Sequence, residues 1–284
     1  MLTENYSDKV TIYLTTCNRV DKLQRAVASV LNQSHSNFEL IICDDASKDG
    51  TEEYAKNLTN TDCRVKYVRN EMNLGACNTR NLGIFSATGK YITGLDDDDE
   101  FKPTRLQDFL KYWSDEFSFI CCDFIERFKD GKEKKYYNKK TSLECEYQSL
   151  LFDNIASNQI FTLTERLQGI GGFDTRVKRL QDWDTWLRLA YKYGSFKRIP
   201  IATYIMNHDH IHGEVRVSKS YSLDRALDEL LQRNISLYSE SDQNFMKFII
   251  STVKGDAKFS EGLFWSIEKR NFKHLAKCII NFKK

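Results

Sequence analysis

Proline is nearly missing from this chain: two in 284 residues, alongside only thirteen glycines. No stretch is therefore rich enough in Pro, Gly or Ser to act as a long flexible linker. Long apolar runs are missing as well. No segment approaches the roughly 20 consecutive apolar residues that a membrane-spanning helix needs. The polar start Met1-Leu2-Thr3-Glu4-Asn5 is expected to carry no signal peptide. A large charge of one sign is also absent. The formal net charge of +2 gives no global field to draw nucleic acid, and no nucleic-acid partner is expected. The eight cysteines include no CxxC pair and no Cys/His cluster at zinc spacing. They read as reduced, buried thiols of a cytosolic protein. No GxGxxG follows the first strand-like run, which disfavours a dinucleotide fold of the usual kind. No internal repeat is present.

What is present is a strict alternation. Val10-Thr11-Ile12-Tyr13-Leu14-Thr15 is a β-branched run typical of a core strand. From Asp21, a plausible N-cap, Leu23, Val27, Val30 and Leu31 fall on one helical face. Phe38 to Cys43 reads as a second strand. Asp49-Gly50-Thr51-Glu52 has the form of a capping box opening a helix towards Leu58. Val65 to Val68 is a third strand, Ala76 to Ala87 a helix closed by Gly89, and Tyr91 to Leu95 a fourth strand. Strand, helix, strand repeated in this way predicts right-handed crossovers and a parallel sheet. With 41% hydrophobic residues, the length suits one large α/β domain with a smaller appendage. We expect the main domain over residues 1–218 and a helical C-terminal extension over 219–284.

The chain is organised around Leu95-Asp96-Asp97-Asp98-Asp99-Glu100. Two unit charges about 4 Å apart cost about 4 kcal/mol at an effective dielectric of about 20. Five carboxylates at the end of a buried strand therefore call for a cation or for solvent. A solvated acidic turn and a divalent-metal site both fit this stretch alone. In open α/β sheets ligands bind beyond the carboxyl ends of the strands. Here those ends carry Thr15 with Asn18 and Arg19, then Asp44 with Asp45, then Asp96 to Asp99. This convergence favours a ligand or metal site. Further on, Phe124 to Tyr137 reads as a charged hairpin turning at Asp130-Gly131. Gly169-Ile170-Gly171-Gly172 is a turn that lets a ligand approach. Gln181-Asp182-Trp183-Asp184 opens a helix with acids in its first turn. His208, His210 and His212 follow the last strand.

Taken together these residues resemble the inverting family 2 nucleotide-sugar glycosyltransferases, which have the GT-A fold. The likeness covers roughly residues 9–218. Its parts are Thr15-x-x-Asn18-Arg19, Asp44-Asp45-Ala46-Ser47-x-Asp49-Gly50-Thr51, Asn73-x-Gly75 with Arg80-Asn81-x-Gly83, Gly89-x-Tyr91-Ile92, Leu95-Asp96-Asp97-Asp98-Asp99 leading to Pro103-x-Arg105-Leu106, and Gly171-Gly172-Phe173-Asp174 leading to Asp182-x-Asp184-x-Trp186-Leu187-Arg188. Their order and spacing carry the resemblance; each alone is weak. It implies a GT-A domain in which Thr15, Arg19, Asp45, Arg80, Asp96 and Asp97 bind the nucleotide-sugar. Asp96 to Asp98 stand at the family's DXD position. Asp98 is the expected metal contact, His208 a second, for Mn²⁺ or Mg²⁺. Asp182 matches the catalytic base, although Asp184 stays open, because the family usually has Glu-Asp where this chain has Gln181-Asp182.

The resemblance implies transfer of one sugar from a nucleotide-sugar, a UDP-sugar above all, to a glycan or lipid-linked glycan in bacterial cell-surface polysaccharide synthesis. A nucleotidyltransferase is one rival, but it would need a glycine-bearing phosphate loop after the first strand, and Thr16-Cys17-Asn18-Arg19 has no glycine. A non-catalytic sugar-nucleotide-binding component is the other; it should lack the base, and Asp182 is there. The tail Asn271 to Lys284 has an apolar face ringed by lysines. It either lies on the cytoplasmic face of the inner membrane or docks on the protein as a terminal helix.

Overall fold

Val10, Ile12 and Leu14 are fully buried because their strand has parallel neighbours on both sides. This strand, β1 (Val10–Thr16), pairs with β2 (Phe38–Asp44) and with β4 (Tyr91–Asp96), and β3 (Val65–Arg69) extends the sheet beyond β2. The computed structural model describes residues 8–137, 140–157, 159–209 and 221–281. The crossovers are α1 (Val20–Leu31), α2 (Thr51–Thr61) and α3 (Ala76–Ser86). All four strands expected in this half occur. Each runs one residue further than its apolar pattern, into the polar residue that begins the rim, because ladder hydrogen bonds do not depend on side-chain type.

After the acidic turn come β5 (Glu100–Phe101), α4 (Arg105–Tyr112) and β6 (Ile120–Phe128), which forms the expected hairpin with β7 (Glu133–Lys135). Then follow β8 (Leu143–Cys145), a 3₁₀ turn at Tyr147–Leu150, β9 (Phe161–Leu163), α5 (Thr164–Gly169), α6 (Gln181–Tyr193) and β10 (Phe196–His208). Among the described residues the ten-stranded sheet has the order β3-β2-β1-β4-β9-β6-β10-β5, with β7 on β6 and β8 on β10. β9 is antiparallel to both β4 and β6, while β10 runs parallel to β6. β10 spans 13 residues. Its register on β6 shifts between Ile199 and Tyr204, around Pro200, which has no N–H for the ladder.

Two helix starts differ from expectation. α1 begins at Val20 with Arg19 at the N-cap, so Asp21 lies inside the first turn and is no cap. α2 has Gly50 at its N-cap. Asp49 forms no capping box: its carboxylate accepts from the backbone N–H of Val20 and of Thr51, at 3.0 Å each. It thereby ties the start of α1 to the start of α2, a long-range bond that local spacing does not reveal.

At the opposite edge of the sheet from the acidic turn, Glu39 is buried. It accepts from Thr11 Oγ1 (2.6 Å), from the Thr88 and Gly89 N–H groups (2.6 and 3.1 Å), and from Lys9 and Lys66 (3.0 and 2.7 Å). Burial alone would push its carboxyl up; the bonds from Lys66, Thr11 and Thr88 hold it well below the usual range. Gly94 lies under the rim, where an added Cβ would come within 2.5 Å of the Tyr13 ring and 2.1 Å of Gln159 Oε1. Only glycine fits there.

Residues up to Val177, with Gln181 to His208, form one compact unit, and Lys178–Leu180 with the helices from Leu223 onward form another. The expected boundary at 218/219 lies outside the described residues. The second unit contains α7 (Leu223–Arg233), α8 (Glu240–Lys254), α9 (Phe259–Glu268) and α10 (Lys273–Asn281). Within it, α10 docks through Cys278, which is buried close to Gly262 of α9. The His274 ring lies edge-on to Phe245 of α8, with centroids 5.1 Å apart. No helix among the described residues is long and apolar enough to cross a membrane.

Candidate active site

The parallel register brings the three strand ends to one rim. Thr16 stands opposite Asp44, and Thr15 stands opposite both Cys43 and Asp96. The Asp45 N–H donates to the Thr16 carbonyl at 3.0 Å. Asp45 is buried, and its two oxygens accept from Asn70 Nδ2 (2.9 Å) and from the backbone N–H groups of Leu74 and Gly75 (2.8 Å each). It therefore shapes the loop that leads into α3. Asp44 accepts from the Ser47 N–H and from the Tyr67 hydroxyl, with Arg69 Nε at 3.3 Å.

The acidic turn divides its carboxylates among different partners. Asp97 accepts from Thr16 Oγ1 (2.8 Å) and from Arg19 Nη1 (3.0 Å). Burial pushes its carboxyl up to about 7 against the pull of Arg19, and Asp98 adds to the rise. Asp98 lies 3.4 Å from the same Arg19 nitrogen, with 18% of its side chain exposed. Asp99 faces inward, accepting from the Tyr204 hydroxyl (2.7 Å) and from the Asn207 N–H (2.9 Å). Burial, then Asp98 and Asp96, hold it well above the usual range. The backbone carbonyl of Asp98 takes bonds from Arg25 (2.7 Å) and Asn207 (2.9 Å), which fix the turn.

Arg80 projects from α3 into the centre of the rim. It is buried, lies over the Phe173 ring at 5.1 Å, and donates to Asp96 Oδ1 (3.0 Å) and Gln181 Oε1 (2.6 Å). Gln181 thus places a neutral amide oxygen against the guanidinium, leaving the charge of Arg80 to Asp96 and Asp182. Asp182 Oδ1 lies 4.0 Å from Arg80 Nη1 and makes no hydrogen bond among the described residues. Burial pushes the Asp182 carboxyl up to about 7; Arg80 opposes this and Asp96 adds to it. Asp184, by contrast, is fully committed to structure. It is buried and accepts from Arg188 Nε at 2.9 Å, and Arg188 also holds the carbonyls of Ile170 and Gly172. The acidic pair at the start of α6 therefore splits, with one acid anchoring the glycine turn and the other facing open space.

Thr15, Arg19, Asp45, Arg80, Asp96, Asp97, Asp98 and Asp182 are thus linked along one rim. His208 is not brought to Asp98. Strand alternation leaves Asn207 to bond the acidic turn, while His208 bonds Glu126 (3.1 Å) and stacks on Phe128 with centroids 5.1 Å apart. His210 and His212 lie outside the described residues. Several rim residues had no sequence signal. Thr16, Arg25 and Asn207 act only through partners distant in the chain, and Gln159 joins Tyr13 (3.2 Å) to Asp96 (3.4 Å).

Among the described residues no three His, Cys, Asp or Glu side chains cluster as a metal cage. The donor set nonetheless fits a hard divalent ion bound by one or two carboxylates and by ligand phosphates, the usual pattern for Mg²⁺. Asp98 offers a partly exposed carboxylate beside two others that burial and mutual repulsion keep hard to ionise.

Comparisons with known proteins identify the family. The signature described as "Glycosyl transferase family 2" matches residues 11–170. WcaA of Escherichia coli K12, which bears the name of a colanic acid biosynthesis glycosyl transferase, is 32% identical over 275 residues, covering 94% of this chain and 96% of its own. TuaG of Bacillus subtilis 168, named for teichuronic acid biosynthesis, is 29% identical over 195 residues, 66% of this chain and 74% of its own. In three dimensions the chain is similar to Staphylococcus aureus TarS 1–349, solved in complex with UDP-GlcNAc. The TM-score is 0.68 at 18% identity, over 96% of this chain and 79% of that one; a likeness at that identity speaks to the GT-A fold alone. With the signature spanning more than half its length and a relative aligned almost end to end, the chain belongs to glycosyl transferase family 2 and is a glycosyltransferase.

Proposed function

We propose that this enzyme transfers one sugar from a UDP-sugar to a hydroxyl of a growing bacterial cell-surface polysaccharide, with inversion, using Asp182 as general base. The observation that carries the reading is the Asp182 carboxylate. Its Oδ1 is buried and lacks a hydrogen-bond partner among the described residues, a quarter of the side chain stays exposed, and the carboxyl is raised to about 7, where a base both stays ionised and still accepts a proton. The acceptor hydroxyl loses its proton to Asp182 as its oxygen bonds to the anomeric carbon. The bond from that carbon to the diphosphate breaks on the opposite face. No enzyme nucleophile is required.

Arg80 and Arg19 supply fixed positive charge beside the leaving diphosphate, and such preorganised charge is worth most where water is excluded. Thr15, Asp45, Asp96 and Asp97 shape the nucleotide-sugar pocket. A divalent ion, Mn²⁺ or Mg²⁺, would be held by Asp98 and would neutralise the departing diphosphate. The UDP part of the reading is carried over from TarS, a protein of the same fold solved with UDP-GlcNAc. The polysaccharide part is supported by relatives named for colanic and teichuronic acid biosynthesis.

We also place the protein at the surface of an anionic membrane, through its second unit. The tail helix α10 is docked, but α9 turns Phe259, Leu263, Phe264 and Ile267 outward, and Phe272 follows at 69% exposure. Between Lys254 and Lys284 stand eight Lys and Arg against three acids. Apolar side chains ringed by basic ones suit an anionic headgroup layer.

The decisive experiment is Asp182→Asn. Transfer should fall by about 10²–10⁴-fold, the usual worth of a positioned base, with UDP and Mn²⁺ binding kept. Unchanged turnover would remove Asp182 from the mechanism.

A further inference from the structure

Asp182 faces a second environment besides Arg80. With Phe124, Tyr136, Tyr137, Asn154 and Ser157 it lines a cleft of about 210 Å³. None of the residues assigned to the nucleotide or the cation lines this cleft. It meets the donor side only through the proposed base, which is where an attacking hydroxyl has to arrive.

The walls are aromatic and built to stay in place. Phe124 and Tyr136 stack with ring centroids 4.5 Å apart, and Tyr137 stands edge-on to Tyr136 at 4.6 Å. Tyr136 keeps 51% of its surface exposed, so it retains open area for a ligand. Behind the rings, buried Asp123 accepts from the N–H groups of both Phe124 (2.8 Å) and Tyr137 (2.9 Å), and the Arg198 guanidinium covers the Tyr137 ring at 3.2 Å. The platform is thus fixed from below by a buried charged pair.

The polar atoms of the lining are one-sided. Asn154 spends its amide N–H on the Ser157 carbonyl (3.1 Å), which leaves its buried Oδ1 without a partner. Asp182 Oδ1 is likewise unpartnered. Both orphans are acceptors, so the cleft calls for a ligand rich in hydroxyl donors. Among the described residues no Lys or Arg lines it, and its one carboxylate is Asp182. A carboxylate or phosphate on the ligand would meet the negative charge of Asp182, whose cationic neighbour Arg80, 4.0 Å away, already donates to Asp96 and Gln181.

We propose that this cleft is the acceptor subsite, and that it takes a neutral pyranose whose C–H face lies against Tyr136 and whose hydroxyls donate to Asn154 Oδ1 and Asp182 Oδ1, discriminating against uronic acids. This rests on Asp182 being the base. The two readings fail separately, because Asp182→Asn tests turnover whereas this one is tested by binding.

The test uses the full chain with UDP and Mn²⁺ and measures, by saturation-transfer NMR, binding of methyl β-glucopyranoside and methyl β-galactopyranoside against methyl β-glucuronide. A neutral glycoside should bind, with the strongest transfer to its ring C–H protons, and the glucuronide should not. Tyr136→Ala should weaken the neutral glycoside about tenfold, the scale of one lost aromatic contact, and Asn154→Ala should weaken it too. Tyr136→Phe should bind like the parent, and UDP affinity, which also reports folding, should be unchanged in all three. Equal binding of the glucuronide overturns the proposal. So does no binding of either neutral glycoside, or a Tyr136→Ala effect that falls on UDP instead of the sugar.

Discussion

Burial raises the Asp182 carboxyl and Arg80 opposes the rise, so removing Arg80 is the sharpest test of the electrostatics. The two groups are 4.0 Å apart. At an effective dielectric of about 20, that separation corresponds to about 4 kcal/mol, or a ceiling of about 3 pKa units. Asp182 has a quarter of its side chain exposed, so solvent reduces the effect. Arg80→Met also releases Asp96 from its partner, which adds to the rise. Asp182 should therefore titrate at least about one unit above its starting value of about 7. In the parent enzyme the sign is that of a base: kcat/KM rises with pH while Asp182 deprotonates and levels off above about 7. Because Arg80→Met also weakens donor binding on our reading, its titration is better followed directly. Carbon-13 NMR of aspartate-labelled protein serves, with the Asp182 resonance identified by its loss in Asp182→Asn. A parent profile that inflects near the ordinary aspartate value of 3.8 would show that solvent reaches this carboxylate freely. An Asp182 resonance unmoved by Arg80→Met would refute the coupling.

Two other perturbations probe separate parts of the molecule. Glu39→Gln removes a buried carboxylate that accepts from Thr11, Thr88 and Gly89 and pairs with two solvent-facing lysines, and should cost about 1–3 kcal/mol in urea unfolding at pH 7; because its folded pKa is depressed below the unfolded value near 4.5, the parent's advantage should shrink as pH falls below that value, and a pH-independent difference would argue against the ionic account. In flotation with phosphatidylglycerol vesicles, Phe264→Glu should reduce binding about tenfold or more, the scale of one fully buried phenyl. High salt should weaken the parent's binding, and indifference to both changes would exclude the α9 surface.

The sequence by itself determined the frame. β-branched runs separated by helical periodicity can bury both sheet faces only as parallel strands with crossovers, and that topology forces the strand ends onto one edge. Thr15, Arg19, Asp45 and Asp96 to Asp98 could be placed on a common rim for this reason, without any long-range contact in view; Arg80, inside a helix, came only from the family resemblance. The tertiary structure decided what each polar group does there. Asp182 and Asp184 have identical local signals, two acids in the first turn of one helix. Only the packing of Arg188 against Asp184, and of Arg80 beside Asp182, separates an anchor from an open carboxylate. Likewise only the pleat of β10 tells that Asn207, not His208, reaches the acidic turn. Tyr136, Tyr137 and Asn154 had no pattern to betray them, since the buried pair of Asp123 and Arg198 that supports their cleft joins residues 75 positions apart in the chain. Periodicity reports which face of an element is buried; it carries no record of which distant side chain comes to meet it.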